Sequence, residues 1–175
     1  MQFNVAGLLK GAVGATQRHL LDEAPLSLED IQAERVWGAV TLMRVNDGVW
    51  VRGDFRATVE CACSRCLRSY PATVSFHFDE TYYPTLDIAS GVAITLPDGA
   101  EADAAIDNHH ILDISEAIRQ NIILGLPMKP LCKPACAGIC ARCGRDMNES
   151  PCACPQDTGD PRWAALKDPL SPDKN

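Results

Sequence analysis

The chain reads as an α+β protein: an antiparallel, barrel-like β-sheet, one packed helix and a cysteine-rich C-terminal segment. Three observations predict this. Two long stretches around an Asn46-Asp47-Gly48 turn are rich in β-formers, and the second alternates apolar and polar residues. One run near residue 115 carries helical periodicity instead. Eight of the nine cysteines fall into four close pairs, most of them late in the chain.

Residues 3–9 and 18–26 read as short strands. The hairpin that follows is the clearest element. Residues 36–45 (VWGAVTLMRV) are rich in β-formers, and 49–61 (VWVRGDFRATVEC) alternate. Asp-Gly between such runs marks a hairpin, because glycine tolerates the positive φ of the turn. Val49, Val51, Gly53, Phe55, Ala57, Val59 and Cys61 share one face. Trp50, Arg52, Asp54, Arg56, Thr58 and Glu60 share the other, which is wet. Residues 70–83 (YPATVSFHFDETYY) alternate again, so the CSRC turn at 63–66 caps a second hairpin.

Residues 84–110 read as an acidic connection with one strand at 92–96. A helix is expected at 113–125, with Asp113 as N-cap and Glu116 completing a capping box. Ile114, Ala117, Ile118, Asn121 and Ile122 fall on one stripe; Ile123 and Leu124 widen it, which predicts a well-buried helix. Gly125 and Pro127 end it. Asp160 and Pro161 open a short tail helix that Trp163 and Leu166 would dock. The expected organisation is a β-rich core with its helix at 1–131, a cysteine-rich segment and tail helix at 132–167, and a disordered tail at 168–175. No internal repeat stands out.

At 175 residues the chain buries a core of its own, so bound metal would shape part of the fold instead of replacing the core. No apolar run approaches the ~20 residues that span a bilayer. The first residues lack a basic n-region, and three glycines break their apolar stretch, which disfavours a secretory signal. A reducing cytoplasm is then the default, where thiols stay free for metal. The net charge of −7 argues against non-specific nucleic-acid binding, and DNA and membrane are not expected partners. The charge is uneven. Residues 79–113 hold eight acids and no Lys or Arg, whereas Arg65, Arg68, Lys129, Lys133, Arg142 and Arg145 surround the cysteines.

The cysteine pairs are Cys63/Cys66, Cys132/Cys136, Cys140/Cys143 and Cys152/Cys154. Four thiolates make a tetrahedral zinc site, and a tight turn supplies two at a time. Zinc ligation is favoured over disulfides, since nine is an odd number and no export signal is evident. It is favoured over a thioredoxin-like redox motif, which opens a helix, because Cys66 is followed by a strand. Two structural zinc ions are expected. Only eight residues separate Cys143 from Cys152, so those last two pairs can close a local site, leaving Cys63/Cys66 for Cys132/Cys136. The rival pairs Cys63/Cys66 with Cys140/Cys143. Each tetrathiolate zinc carries about −2, which offsets roughly four of the six nearby cations. Cys61 continues an apolar strand face and reads as a buried strand cysteine.

No catalytic residues are expected. His19, His77, His109 and His110 have no partner at a defensible spacing, and no nucleophile, base and oxyanion donor assemble. Asp79, Glu80 and Asp87 read as a solvated face, and Trp37 and Trp50 as packing residues. The competing functional classes are a thiol redox protein or metalloenzyme, and a zinc-stapled interaction module without RNA contact.

CSRCLRSY at 63–70, LPMKPLC at 126–132, CAGICARCGRDMN at 136–148, CAC at 152–154 and DPRWAALK at 160–167 together resemble the YceD family. The resemblance implies a non-catalytic ribosome biogenesis factor that supports accumulation or processing of large-subunit (23S) ribosomal RNA. It implies large-subunit rRNA, ribosomal proteins or assembly proteins as partners. It also implies that distal cysteines vary among members while ligand-type residues persist at 132 and 136, which favours joining Cys63/Cys66 to Cys132/Cys136. In that role Arg65, Arg68, Lys133, Arg142 and Arg145 would contact rRNA backbone or a partner protein.

Overall fold

The computed structural model describes residues 1–28, 31–100, 102–154 and 162. The expected tail helix and disordered tail lie outside the described residues, apart from Arg162. The elements run β1 (Gln2–Asn4), α1 (Ala6–Leu9), β2 (Thr16–Glu23), β3 (Leu26–Leu28), β4 (Ile31–Arg44), β5 (Val49–Ala62), β6 (Ser69–Pro84), β7 (Ala105–Ile106), β8 (Ile111–Asp113) and α2 (Ser115–Gly125).

The main sheet has the order β2-β4-β5-β6-β7, with β3 continuing the β2 edge against β4. Its centre is the pair of hairpins legible in the alternation. β4 pairs with β5 from Arg44↔Val49 back to Ala33↔Val59, and β5 pairs with β6 from Val49↔Tyr82 to Ala62↔Ser69. The sheet is open, which corrects the expected barrel. β2 and β7 are its two edges and do not meet. β7 is only two residues long and runs parallel to β6, so it ends the sheet instead of closing it.

One sheet face carries the core. Val36, Val40, Leu42, Val51, Phe55, Val74 and Tyr82 are buried there. They are covered by Phe3, Leu8 and Leu9 from the N-terminal elements, by Leu112, and by Ile118 and Ile122 of α2. β1 pairs with β8 as a separate two-stranded ladder over this face. The opposite face is wet: Arg52, Asp54 and Arg56 are all exposed.

Several local expectations shift. Residues 3–9 divide between β1 and a single helical turn. The strand expected at 92–96 reduces to one bridge, Leu86↔Ala93. Helix α2 starts one residue later than the predicted cap: Ile114 occupies that position without a side-chain bond. The Asp113 carboxylate still accepts the Ser115 N–H at 2.8 Å. The capping box does not form, because Glu116 pairs with Arg119 at 2.7 Å. The helix is buried on one side only; Ile123 and Leu124 are exposed, the latter at 80%.

Burial opposes ionisation of Asp113. The Ser115 hydroxyl and N–H, the Gln2 amide and the N-terminal ammonium outweigh it and hold the carboxyl down at about 2. Arg119, with Gln120, holds Glu116 down at about 2. Both values lie below those of unfolded carboxylates, ~3.9 and ~4.3. These groups therefore stabilise the fold above that range, and the contribution disappears as pH falls from about 4.5 to 2. Urea midpoints should drop across this window, and Asp113→Asn with Glu116→Gln should flatten the drop. An equally steep fall in the double variant would assign it to other groups.

Candidate metal centres

The first knuckle hangs off the β5–β6 hairpin. Cys63 N–H donates to the Arg68 carbonyl at 3.0 Å, and Leu67 N–H returns to the Cys63 carbonyl at 2.9 Å. The second knuckle repeats this. Cys140 N–H donates to the Arg145 carbonyl at 2.8 Å, and Gly144 N–H returns to the Cys140 carbonyl at 2.9 Å. In both, the residue after the second cysteine is left-handed, with φ 58° at Leu67 and 70° at Gly144. The two segments, CSRCLR and CARCGR, share Cys-x-Arg-Cys-x-Arg. A local repeat therefore exists where none was expected. It is hidden because glycine fills the left-handed position once and leucine the other time.

The left-handed backbone sets a prediction. A Cβ at Gly144 meets nothing within 4 Å, so only the backbone conformation penalises a side chain. Gly144→Ala should cost about 1 kcal/mol. The measurement is the midpoint of metal loss from the second group under chelator titration. An unchanged midpoint would mean that the turn relaxes freely.

The fold brings Cys63, Cys66, Cys132 and Cys136 together, and separately Cys140, Cys143, Cys152 and Cys154; within each group all sulfurs lie within 4.8 Å. Cys63 to Cys136 is 3.8 Å and Cys66 to Cys132 is 3.7 Å. A tetrahedron with metal–sulfur bonds of ~2.3 Å has edges of about 3.8 Å. The first group thus matches a single ion and is too tight for a multi-iron cluster. None of the nine cysteines forms a disulfide. Cys61 joins neither group; it packs half-buried against the sheet core, and burial pushes its thiol up.

The electrostatics ask for a cation. Backbone N–H groups of Cys132 and Cys66 draw the Cys63 thiol down to about 6. Those of Cys143 and Arg142 do the same for Cys140. Burial and the adjacent sulfurs push Cys132 up to about 12. The Cys143 sulfur, with burial, pushes Cys154 up to about 12. Burial opposes ionisation of Cys136, but the Asn148 amide and the Gly138 N–H outweigh it and draw that thiol down as well. The negative charge of the first thiolates in each group opposes ionisation of the rest. A divalent cation reverses that opposition and lets all four ionise.

The two groups differ in setting. Cys63, Cys66 and Cys136 are buried, whereas Cys143 is exposed and Cys140, Cys152 and Cys154 are half-buried. The first group also joins distant chain. Ser64 N–H donates to the Pro130 carbonyl at 2.8 Å, and Ile139 N–H to the Arg65 carbonyl at 3.2 Å.

Of the five basic residues singled out, two are engaged within the chain. Arg65 donates to the Cys136 carbonyl at 2.8 Å. Arg68 bridges Asp146 at 2.6 Å and Glu149 at 2.8 Å. Lys133, Arg142 and Arg145 are exposed. Asn148 was missed by sequence reasoning. Its amide donates to the Cys136 sulfur at 3.4 Å and to Asp146, and its carbonyl accepts the Ala137 N–H. The Asp-x-Asn directly after the second knuckle is the turn signal that marks it.

An open sheet tied through paired sulfur knuckles to a C-terminal segment defines a cysteine-cluster protein with two sets of four sulfurs that could each hold a metal ion. Residues 51–168 match the family described as Large ribosomal RNA subunit accumulation protein YceD. The chain belongs to the YceD family. An uncharacterized protein of Mycobacterium leprae is 32% identical over 177 residues, which cover 95% of this chain and 75% of that protein. An uncharacterized protein of Mycobacterium tuberculosis is 30% identical over 75% of this chain and 60% of its own length. A chloroplastic protein of Arabidopsis thaliana, named Large ribosomal RNA subunit accumulation protein YCED homolog 1, is 33% identical over 55 residues. That match covers 31% of this chain and 17% of the Arabidopsis protein. No solved structure matches.

Proposed function

We propose that this chain is a non-catalytic factor supporting accumulation of large-subunit ribosomal RNA, with two structural zinc ions held by its eight paired cysteines. Family membership carries the ribosomal part of this reading. The closed sets of four sulfurs carry the structural part. A catalytic zinc keeps one coordination position open, and four protein thiolates leave none. Zinc bound at these sites supplies cross-links between chain segments and no reaction step. No helix among the described residues is long and apolar enough to cross a membrane. We place the protein in the cytoplasm, beside the assembling large subunit. Near the knuckles, contacts to rRNA or an assembly protein would fall to the exposed Lys133, Arg142 and Arg145, since Arg65 and Arg68 bind the chain itself.

Deletion of the gene tests this. Mature large-subunit rRNA should fall relative to small-subunit rRNA, with precursors or free small subunits accumulating. Unchanged subunit ratios in every growth condition would overturn it.

A further inference from the structure

We infer that the wet face of the main sheet is a stacking platform for single-stranded RNA, built on Trp37 and Trp50. This deepens the ribosomal reading by naming a contact surface away from the cysteines. Both tryptophans lie on the strand face opposite the core, half-buried, on neighbouring strands. Most of their neighbours on that face are polar; Leu20 is exposed, Ala39 and Met43 are half-buried, and none of these three belongs to the core cluster.

The geometry spaces the two rings along a path. β4 registers Met43 against Trp50, and Trp37 lies six residues back along β4. At ~3.4 Å per residue, the rings stand about 20 Å apart. That distance suits a strand of several nucleotides, within the ~4–16 typical of single-strand sites. Guanidinium groups frame the first ring. Arg35 lies 5.3 Å above Trp37, and Arg56 sits directly across from it in the register. Between the two tryptophans, Arg18 and Arg52 flank Thr41 in the ladder.

Acids share this face, and they shape the prediction. Asp22 is held by both arms of Arg35 at 2.6 and 2.7 Å. Asp79 lies across from Arg52. Asp54 faces Ala39 and His77, and Glu60 faces Pro71, so neither has an arginine directly opposite. The surface is therefore balanced in a chain of net charge −7. Phosphate attraction is small, and base stacking supplies the affinity. A protein partner would have to dehydrate Arg52, Asp54 and Arg56 in the middle of the interface, which is costly. Single-stranded RNA keeps those groups wet and presents an unpaired π-face to the Trp50 ring and to the Arg35 guanidinium stacked over Trp37. Duplex RNA does not.

The test uses the full metal-loaded chain carrying Trp163→Phe, so that fluorescence reports the two sheet tryptophans. The probe is a 12-nucleotide oligouridine, compared with a duplex RNA of equal length. Titration should quench the emission for the single strand only. The slope of log affinity against log salt should be shallow, about −1 to −2, reflecting two or three phosphates. Trp37→Ala and Trp50→Ala should each weaken binding about tenfold. Trp37→Phe and Trp50→Phe should restore most of it, which separates stacking from loss of fold. The double Ala variant keeps no tryptophan, so its binding is read by the anisotropy of fluorescein-labelled oligouridine; binding that survives that substitution, equal binding of the duplex, or no binding by the intact face would overturn the platform. So would a concentration-dependent dimer abolished by the same variants. The gene-deletion phenotype is read separately. A strain rescued by the double Ala variant would remove the platform from the ribosomal role without removing the role.

Discussion

Cys66→Ser should bring the largest loss: one metal ion instead of two, and a destabilised sheet as well as a released C-terminal segment. Cys66 and Cys132 lie 66 residues apart, and their sulfurs sit 3.7 Å from one another. A cross-link closing a loop of that length removes about 4 kcal/mol of chain entropy from the unfolded state. Domains of this kind hold only ~5–15 kcal/mol in total. The substitution also exposes the buried sulfurs of Cys63 and Cys136 to a site with no counter-ion. Contacts that depend on this geometry follow, including Arg65 to the Cys136 carbonyl and Ser64 to Pro130.

Cys152→Ser provides the contrast. Its group closes a short loop from Cys143, worth about 3 kcal/mol by the same reasoning, and it sits half-exposed away from the core. Hydrogen exchange should therefore speed up at residues 138–154 in that variant and leave β4 to β6 protected. In Cys66→Ser the ends of β5 and β6 should exchange faster too. Equal loss of protection in both variants would mean the two groups do not divide the labour in this way.

Gly38→Val should be the most damaging substitution within the sheet. A Cβ at residue 38 would sit 2.2 Å from the Asp54 carbonyl oxygen and 2.5 Å from the Phe55 ring. The first contact is backbone, so no side-chain rotation relieves it. Phe55 fills this space with its ring, stacked toward Phe76 at 5.9 Å and Phe78 at 6.1 Å between centroids. β4 must separate from β5, or Phe55 must leave the core. Overpacking of this kind costs about 3 kcal/mol or more. Thermal unfolding should show a drop of ten degrees or more, with both metals still bound in the folded fraction. A melting temperature within two degrees of wild type would show that the strand yields locally.

The two hairpins were legible because strand periodicity and turn chemistry are local. Asp47-Gly48 and the alternation from Val49 to Cys61 place β4, β5 and β6 without any long-range information. Closure was not legible. Whether a sheet becomes a barrel depends on its two edges meeting, and the two-residue β7 that ends this one has no periodic signature. The start of α2 slipped by one residue because Asp113 bonds the Ser115 N–H from just outside the helix, and Glu116 prefers Arg119. Spacing alone named the eight cysteines but left their grouping open, since either of two pairings suited the turns. The basic residues were visible as charge, yet Arg65 and Arg68 are engaged by Cys136, Asp146 and Glu149, none of which is adjacent in sequence. Trp37 and Trp50 read as packing residues because tryptophan usually packs; the strand register turns both toward water.

The most direct measurement is native mass spectrometry of the protein purified under reducing conditions, with the metal identified by elemental analysis. Two zinc ions per chain, lost stepwise to chelator with the Cys140 group emptying first, is the predicted result. A metal-free folded chain, lighter by two mass units for each disulfide formed in the cell, would contradict it.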